Sequence, residues 1–247
     1  MLKHPTLEKL QTLRLTGMLK ALSEQQNMPD INSLGFEERL GLLIDREVTE
    51  RENRRLGTRL KKAKLRHSCC LEDLDFKTSR GMDKALILSL AACTWIARGL
   101  NVLICGPTGV GKSYLACALA HKACLEGYSV LYLRLPRLFE ELRLAKADGR
   151  YGKLMLGYAK TDLLVLDDWG LAPMTDPQRR DLLEILEDRY GKRSTIVTSQ
   201  LPVSSWHNAI ADPTLADAIL DRLVHNAHKI ELKGESMRKH AMKLDQN

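Results

Sequence analysis

The feature that most constrains the fold of this chain is an octapeptide, Gly-Pro-Thr-Gly-Val-Gly-Lys-Ser, at positions 106–113. An apolar run at 100–105 precedes it and predicts a buried strand, while leucines and alanines at helical spacing follow it up to Glu126. A glycine-rich loop between a strand and a helix is the setting in which this pattern binds phosphate groups. A chance glycine-rich turn is the alternative. The sequence therefore predicts a site for a nucleoside triphosphate.

The parts of this loop have separate predicted tasks. Its glycines permit backbone conformations that point N–H groups at phosphate oxygens, and the start of the following helix adds partial positive charge. Lys112 is predicted to reach the β- and γ-phosphates, and the Ser113 hydroxyl to hold Mg²⁺. The predicted nucleotide-binding residues of the loop are Gly106, Pro107, Thr108, Gly109, Val110, Gly111, Lys112 and Ser113.

Two adjacent carboxylates end a second apolar run, at 163–166. Because ligands bind beyond the carboxyl ends of the strands in an open α/β sheet, we expect Asp167 and Asp168 to lie beside the loop. Asp167 is predicted to hold the Mg²⁺ through water. Asp168 is predicted to be the catalytic base that orients or deprotonates the water attacking the γ-phosphate. A helix cap at the end of a buried strand is the alternative for this pair.

Length and composition leave room for one good core and a small appended region. The 247 residues are 44% apolar, and no apolar run approaches the roughly 20 residues that span a bilayer. The N-terminal leucines are interrupted by charged and amide side chains, so no signal peptide is expected. Most of the six cysteines fall on predicted apolar faces, as reduced cysteines do. We expect a cytoplasmic protein with no membrane partner.

Positive charge is concentrated towards the N-terminus. The net charge is +7, and residues 1–66 contribute +5 of it, with 14 Lys and Arg against 9 Asp and Glu. The residues of the basic block at 54–66, which contains no acid, are Arg54, Arg55, Arg59, Lys61, Lys62, Lys64 and Arg66. A solvated helix face is one interpretation. Contact with the phosphates of double-stranded DNA is the other, since no aromatic residues are interleaved for stacking on single strands. Further candidates in the core are Lys146, Arg150 and Lys153.

Hydrophobic spacing divides the chain into two predicted domains. Residues 1–70 are predicted to form a small helical domain that binds DNA, with a long helix from about Phe36. In residues 71–247, helices alternate with predicted strands at 100–105, 129–135, 161–168, 194–200 and 228–233. This alternation predicts the α/β class, with a parallel five-stranded sheet covered by helices on both faces.

Three polar features lie beyond the carboxylates. Ser199 and Gln200 end a β-branched run, where a polar side chain can hold the attacking water or the γ-phosphate; a plain strand terminus is the alternative. Arg222 lies among apolar neighbours on a predicted helix, where arginines usually form surface ion pairs. Arg238 lies in the first turn of a predicted C-terminal helix, so an anionic partner is expected for it.

With these residues in order, the chain resembles AAA+ ATPases and, among them, the DnaC/IstB-like branch, most closely the IstB-type transposition helpers. The motifs that carry the resemblance are GPTGVGKS at 106–113, LLVLDDWG at 163–170, TSQLPVSSW at 198–206, DRL at 221–223 and GESMR at 234–238. It covers residues from about 71 to 240. It implies an AAA+ P-loop NTPase core that uses ATP and Mg²⁺ and has no C-terminal lid domain.

The resemblance also implies roles for single residues. Gln200, with Ser199, would take the sensor-1 role, although asparagine is commoner there. Arg222 would be the arginine finger that reaches a neighbouring subunit's γ-phosphate, and Arg238 would be the sensor-2 arginine that contacts nucleotide.

At the level of the whole protein, the resemblance implies an ATP-dependent homo-oligomer that assembles on DNA and stimulates a transposase. DnaC-like relatives instead load a replicative helicase, and the two activities share one core. A DNA-binding scaffold that binds ATP without hydrolysing it is a third interpretation.

Overall fold

The computed structural model describes residues 5–76 and 80–237. Two compact units divide the chain between Thr58 and Arg59. The sequence analysis put the domain boundary between residues 70 and 71, so the segment at 59–70, assigned there to the helical domain, belongs to the second unit. Among the described residues, no helix combines the length and the apolar character that crossing a membrane requires.

The described part of the first unit is helical. Its helices are α1 (Pro5–Thr12), α2 (Thr16–Gln25) and α3 (Phe36–Ala63), the last of which continues into the second unit. α2 and α3 meet closely at Gly17, where a Cβ atom would lie 2.5 Å from the Glu47 Cα. The buried Glu47 carboxylate accepts hydrogen bonds from the backbone N–H groups of Gly17 and Met18, at 2.7 and 3.2 Å. Glu47 therefore caps the start of α2 from the neighbouring helix.

The second unit is an α/β domain. Its strands are β1 (Asn101–Cys105), β2 (Val130–Arg134), β3 (Leu163–Trp169), β4 (Ser194–Ser199) and β5 (Ala227–Glu231). Its helices are α4 (Lys84–Ala91), α5 (Thr94–Ala97), α6 (Lys112–Leu125), α7 (Leu135–Asp148), α8 (Tyr151–Lys160), α9 (Asp176–Arg189), α10 (Trp206–Ile210) and α11 (Pro213–Val224). All strand pairs are parallel, so the predicted five-stranded parallel sheet is confirmed.

The order of the strands decides which loops meet. The sheet runs β2-β3-β4-β1-β5, so β4 lies between β1 and β3. The last residue of β1, Cys105, pairs with Ser199 at the end of β4, and Leu166 of β3 pairs with Val197 of β4. The loop after β1 and the carboxylates at the end of β3 therefore flank the carboxyl end of β4.

The core explains why these segments form strands and a central helix. All five residues of β1 are buried, and the side chains at 163–166 of β3 have no exposed surface. This is typical of central parallel strands with helices on both faces. α6 is buried through Leu115, Leu119 and Ala123, among others, and its first residue is the lysine of the phosphate loop. The loop is thus anchored to the core at both of its ends.

Two helices lie where the sequence analysis assigned none, between residue 71 and β1. Asp83 caps α4 by accepting hydrogen bonds from the N–H groups of Ala85 and Leu86, at 2.8 and 3.3 Å. Ile87 and Leu90 of α4 are buried. An aspartate directly before an apolar run is the sequence signal of such a helix start, and it was missed.

Candidate nucleotide-binding site

A cavity of about 540 Å³ opens at the carboxyl ends of the first four strands. The phosphate loop forms one wall through Thr108, Gly109 and Gly111 to Ser113, and the ends of β2, β3 and β4 form another. Residues from the segments before β1, at 66–67, 73–75 and 80, complete the lining. The sequence analysis expected the loop and the ends of β3 and β4 here, and it missed the end of β2 and the third wall.

The phosphate loop has the backbone that the sequence predicted. Gly106, Gly109 and Gly111 have φ angles of 149°, 86° and 101°, which favour glycine. At Gly106 a Cβ atom would also lie 2.2 Å from the Leu232 carbonyl oxygen. Met237 donates its backbone N–H to the Gly109 carbonyl at 3.0 Å, so the motif at 234–237 packs against the loop.

The Lys112 side chain folds back over the phosphate loop that precedes it. Its Nζ donates hydrogen bonds to the carbonyl oxygens of Gly106 and Pro107, at 2.7 and 2.8 Å. The side chain is nearly buried and lines the cavity. An ammonium group held at the mouth of the loop is suited to bind the β- and γ-phosphates.

Ser113 and Asp167 meet as predicted. The Ser113 hydroxyl donates to Asp167 Oδ1 at 2.8 Å. A hydroxyl and a carboxylate are the oxygen ligands that Mg²⁺ accepts, together with water and phosphate. In the described part of the chain, no group of three His, Cys, Asp or Glu side chains could hold a metal alone. The two residues thus fit a metal that arrives with a nucleotide and takes its other ligands from phosphate and water.

Asp167 is fully buried, and hydrogen bonds keep it ionised. The hydroxyls of Tyr132 and Thr198 donate to its two oxygens, and the Arg66 guanidinium lies 3.5 Å from Oδ2. Burial acts to raise the pKa of Asp167, but the hydrogen bonds from Thr198, Tyr132 and Ser113 outweigh it and hold that pKa below its ordinary value. Tyr132 and Thr198 were not predicted. The polar end of the β4 sequence pointed towards Thr198, whereas Tyr132 gave no such signal.

Asp168, the predicted base, has a different environment. Its φ of 66° lies in the left-handed region, which is strained for a residue with a side chain. Its carboxylate accepts a hydrogen bond from Arg134 Nε at 2.7 Å, and both side chains line the cavity. Arg134 contacts only Oδ2 of this carboxylate, so Oδ1 is the oxygen suited to accept a proton from water. Arg134, at the end of β2, was also missed.

The end of β4 contacts the loop. The Thr108 hydroxyl donates to Gln200 Oε1 at 2.7 Å, which joins β4 to the phosphate loop at the cavity. Ser199 instead donates its hydroxyl to the Trp169 carbonyl oxygen at 2.9 Å. Gln200 thus faces the nucleotide side, while the Ser199 hydroxyl joins the ends of β3 and β4.

A buried arginine supports the loop from the segment before β1. Arg80 has 6% of its surface exposed, and it donates to the carbonyl oxygens of Val110 (3.2 Å) and Asp75. Its Nε has no hydrogen-bond partner among the described residues. An unsatisfied cationic donor beside a phosphate loop fits an anionic ligand in this cavity.

Arg222 lies away from the loop of its own chain. Its guanidinium pairs with Glu187 and donates to the Ala218 carbonyl oxygen at 2.8 Å. Its carbonyl oxygen accepts a hydrogen bond from Asn101, the first residue of β1, whereas the phosphate loop follows the last. Arg222 therefore lies at the amino ends of the strands, whereas the phosphate loop lies at their carboxyl ends. From there it cannot reach nucleotide phosphates bound by its own chain. Arg238 lies outside the described residues.

The basic block is not a uniform solvated face. Arg54 and Arg55 belong to the first unit and are exposed, as are Lys61, Lys62 and Lys64 of the second. Arg59 Nε donates to the Cys124 carbonyl oxygen at 2.8 Å, and Arg66 lines the cavity. The core candidates Lys146, Arg150 and Lys153 are all exposed, and the first two pair with Asp181 and Asp148.

Comparisons with known proteins agree with this geometry. The family model described as IstB-like ATP binding protein matches residues 8–244. The insertion sequence ATP-binding protein y4pL of Sinorhizobium fredii is 58% identical over 97% of this chain and 98% of its own length. Among solved structures, the crystal structure of DnaI superposes with a TM-score of 0.59 at 23% identity, covering 67% of this chain and 91% of that one. The DnaC helicase loader gives 0.53 at 21% identity, covering 60% and 87%. At these identities the two structures report the fold alone.

Proposed function

Because the chain belongs to the IstB-like ATP-binding family and is thus an AAA+ ATPase, we propose that it is an ATP-dependent helper of DNA transposition. It assembles on target DNA and delivers that DNA to a transposase, whose activity it stimulates. The observation that carries the proposal is the near full-length identity of 58% with a protein named for ATP binding in an insertion sequence. We further propose that it acts in the cytoplasm.

The chain's own residues divide the work on ATP. The N–H groups of the phosphate loop and the Lys112 ammonium hold the phosphates, and Ser113 with Asp167 holds Mg²⁺. The metal, when bound, offsets the negative charge that develops on the phosphates.

Asp168, with Arg134 on its Oδ2, orients the attacking water and accepts its proton on the other carboxylate oxygen. Gln200, which is hydrogen-bonded to Thr108 of the loop and lines the cavity, takes part in positioning that water. Arg238 contacts the nucleotide in this proposal.

Hydrolysis depends on contact between subunits, because Arg222 serves a neighbour's site. Its position at the amino ends of the strands, away from the phosphate loop of its own chain, supports action in trans. Arg222→Ala should bind ATP and hydrolyse it roughly 10³-fold more slowly. The Arg222→Ala variant can then be mixed with Lys112→Ala in one oligomer. Where an Arg222→Ala subunit holds ATP and the neighbouring Lys112→Ala subunit supplies its intact Arg222, hydrolysis should be restored. No regained activity in oligomers shown to be mixed would contradict the role in trans.

DNA binding is assigned to the exposed members of the basic block, since Lys and Arg side chains neutralise backbone phosphates. The proposed contacts are Arg54, Arg55, Lys61, Lys62 and Lys64. Arg59 is left out because it bonds to the end of α6, and Arg66 because it lines the nucleotide cavity. Double-stranded DNA is the expected binding partner.

The deciding experiment isolates the chain from cells that carry its insertion sequence and identifies what binds to it with ATP. The proposal predicts a transposase, and a strand-transfer assay should show stimulation that requires ATP and fails with Lys112→Ala. Recovery of a replicative helicase without a transposase would favour a helicase loader instead. Full stimulation by Asp168→Asn would favour a scaffold that uses ATP only for assembly.

A further inference from the structure

The segment at 59–70, which we call the arm, follows α6 from its last turn to its first. Arg59 donates to the Cys124 carbonyl oxygen at the end of α6. Ala63 is fully buried, and the Cys69 thiol donates to the Tyr114 carbonyl oxygen at the start of the helix, at 3.4 Å. The His67 ring lies 5.9 Å from the Tyr114 ring, centre to centre. The arm is thus fixed along the helix that carries the phosphate loop.

Arg66 of the arm enters the cavity. Its guanidinium lies 3.5 Å from Asp167 Oδ2 and lines the same space as Lys112 and Ser113. An arginine side chain stays protonated at every pH at which a protein remains folded. Arg66 therefore presents a permanent positive charge beside the metal-binding carboxylate.

The two oxygens of Asp167 are used differently. Oδ1 accepts from Ser113 and Thr198, whereas Oδ2 accepts from Tyr132 and faces Arg66. Ser113, the predicted metal ligand, is on the Oδ1 side. A metal at Ser113 and Oδ1 leaves Arg66 in place on the other side of the carboxylate.

The contact between Arg66 and Asp167 is loose. At 3.5 Å it is longer than the 2.7 Å pair of Arg134 with Asp168, and the Arg66 side chain is 37% exposed. A partly exposed pair at this distance contributes little to stability. Asp167 already accepts hydrogen bonds from three hydroxyl groups, so Arg66 is not its sole stabilising partner. The guanidinium retains N–H groups that can donate hydrogen bonds to phosphate oxygens.

We propose that Arg66 is a cation for the terminal phosphate of the nucleotide, supplied by the same chain, and that it makes the site distinguish a triphosphate from a diphosphate. The proposal rests on the ATP site described above. Arg66 belongs to the arm, which also carries the exposed Lys61, Lys62 and Lys64. Binding of the γ-phosphate would therefore act directly on the segment proposed to contact DNA.

The test measures binding without turnover, by calorimetric titration of a non-hydrolysable ATP analogue and of ADP, each with Mg²⁺. Arg66→Ala should weaken binding of the analogue by roughly 10- to 100-fold, as expected for a lost charge-assisted hydrogen bond, and change ADP binding by less than about 3-fold. Arg98→Ala is the matched control, since it removes the same guanidinium from an exposed position outside the cavity and should alter neither affinity.

Equal losses for the two nucleotides, or no loss for either, would overturn the proposal. Retained ADP affinity shows that the variant is folded. A second measurement uses the unaltered chain: amide hydrogen exchange over 59–70 should slow with the ATP analogue and not with ADP. Equal exchange in both would also overturn it. By contrast, normal nucleotide binding by Lys112→Ala would refute the ATP site itself and not Arg66 in particular.

Discussion

The phosphate loop and the arm line one cavity, yet they are built in different ways. The loop is defined by its backbone: three glycines with positive φ angles and a lysine that bonds to carbonyl oxygens five and six residues away. The arm is defined by side chains whose partners are distant in sequence, from Arg59 to Cys124 and from Arg66 to Asp167. A local motif can therefore reveal the first segment, while only the fold reveals the second.

The two segments meet at Asp167. Ser113 approaches this carboxylate from the loop, and Arg66 approaches it from the arm. Asp168, one residue later, pairs with Arg134 of β2. If this division is correct, changes in the loop, the base and the two sides of the arm should have effects that differ in kind as well as in size.

The largest effect is expected in the loop, from Lys112→Ala. It should abolish useful ATP binding, with a loss of at least about 100-fold, because it removes the ammonium held at the mouth of the loop. Fluorescence titration with a labelled ATP analogue measures this, and Lys160→Ala, an exposed lysine of α8, is the control. Binding within a few-fold of the parent would break the assignment of the loop.

The next effect concerns Asp168, the carboxylate that pairs with Arg134 of β2. Asp168→Asn should bind ATP normally and hydrolyse it roughly 10²- to 10⁴-fold more slowly, because an amide cannot accept the proton of the attacking water. Phosphate release under saturating ATP is the measurement, with the exposed Asp188→Asn as the control. Hydrolysis close to the parent rate would mean that the base lies elsewhere.

The outward side of the arm should affect DNA and not nucleotide. Replacing Lys61, Lys62 and Lys64 with alanine should flatten the slope of log DNA affinity against log salt by up to roughly 3 units. The loss should be similar for all DNA sequences, and ATP affinity should be unchanged. An unaltered slope would leave these lysines as a solvated surface and direct attention to Lys153 of the core.

The inward side of the arm should affect stability, with the smallest change. Arg59→Ala removes the hydrogen bond to the last turn of α6 and should lower the free energy of unfolding by about 1 kcal/mol. Urea unfolding followed by tryptophan fluorescence reports on the second unit, because all three tryptophans lie there. The exposed Arg55→Ala is the control. Equal stabilities of the two variants would argue that the arm is not fixed at Arg59.

The sequence predicted what depends on periodicity and local motif. The five parallel strands and the loop at 106–113 were expected, because apolar runs and glycine spacing specify them locally. The meeting of Ser113 with Asp167 was expected because ligands bind beyond the carboxyl ends of the strands in an open α/β sheet. Tyr132 and Arg134 were not expected. Each is on β2, and only the pairing of β2 with β3 brings them to the carboxylates.

The basic block shows a second limit of the sequence. Seven basic residues with no acid among them suggest one charged surface. Arg59 instead donates to the end of α6, and Arg66 lies beside Asp167. Charge density does not reveal the direction of a side chain, since direction depends on where the helix ends and what it packs against. The end of α3 at Ala63, a buried position, is what lets the following residues approach the cavity.

The most direct test of the account is a crystal structure of the chain with Mg²⁺ and a non-hydrolysable ATP analogue. The account predicts the phosphates within the loop at 106–113, a metal ligated by the Ser113 hydroxyl beside Asp167, and the Arg66 guanidinium on the terminal phosphate. A nucleotide bound away from this loop, or a metal remote from Ser113 and Asp167, would contradict the account.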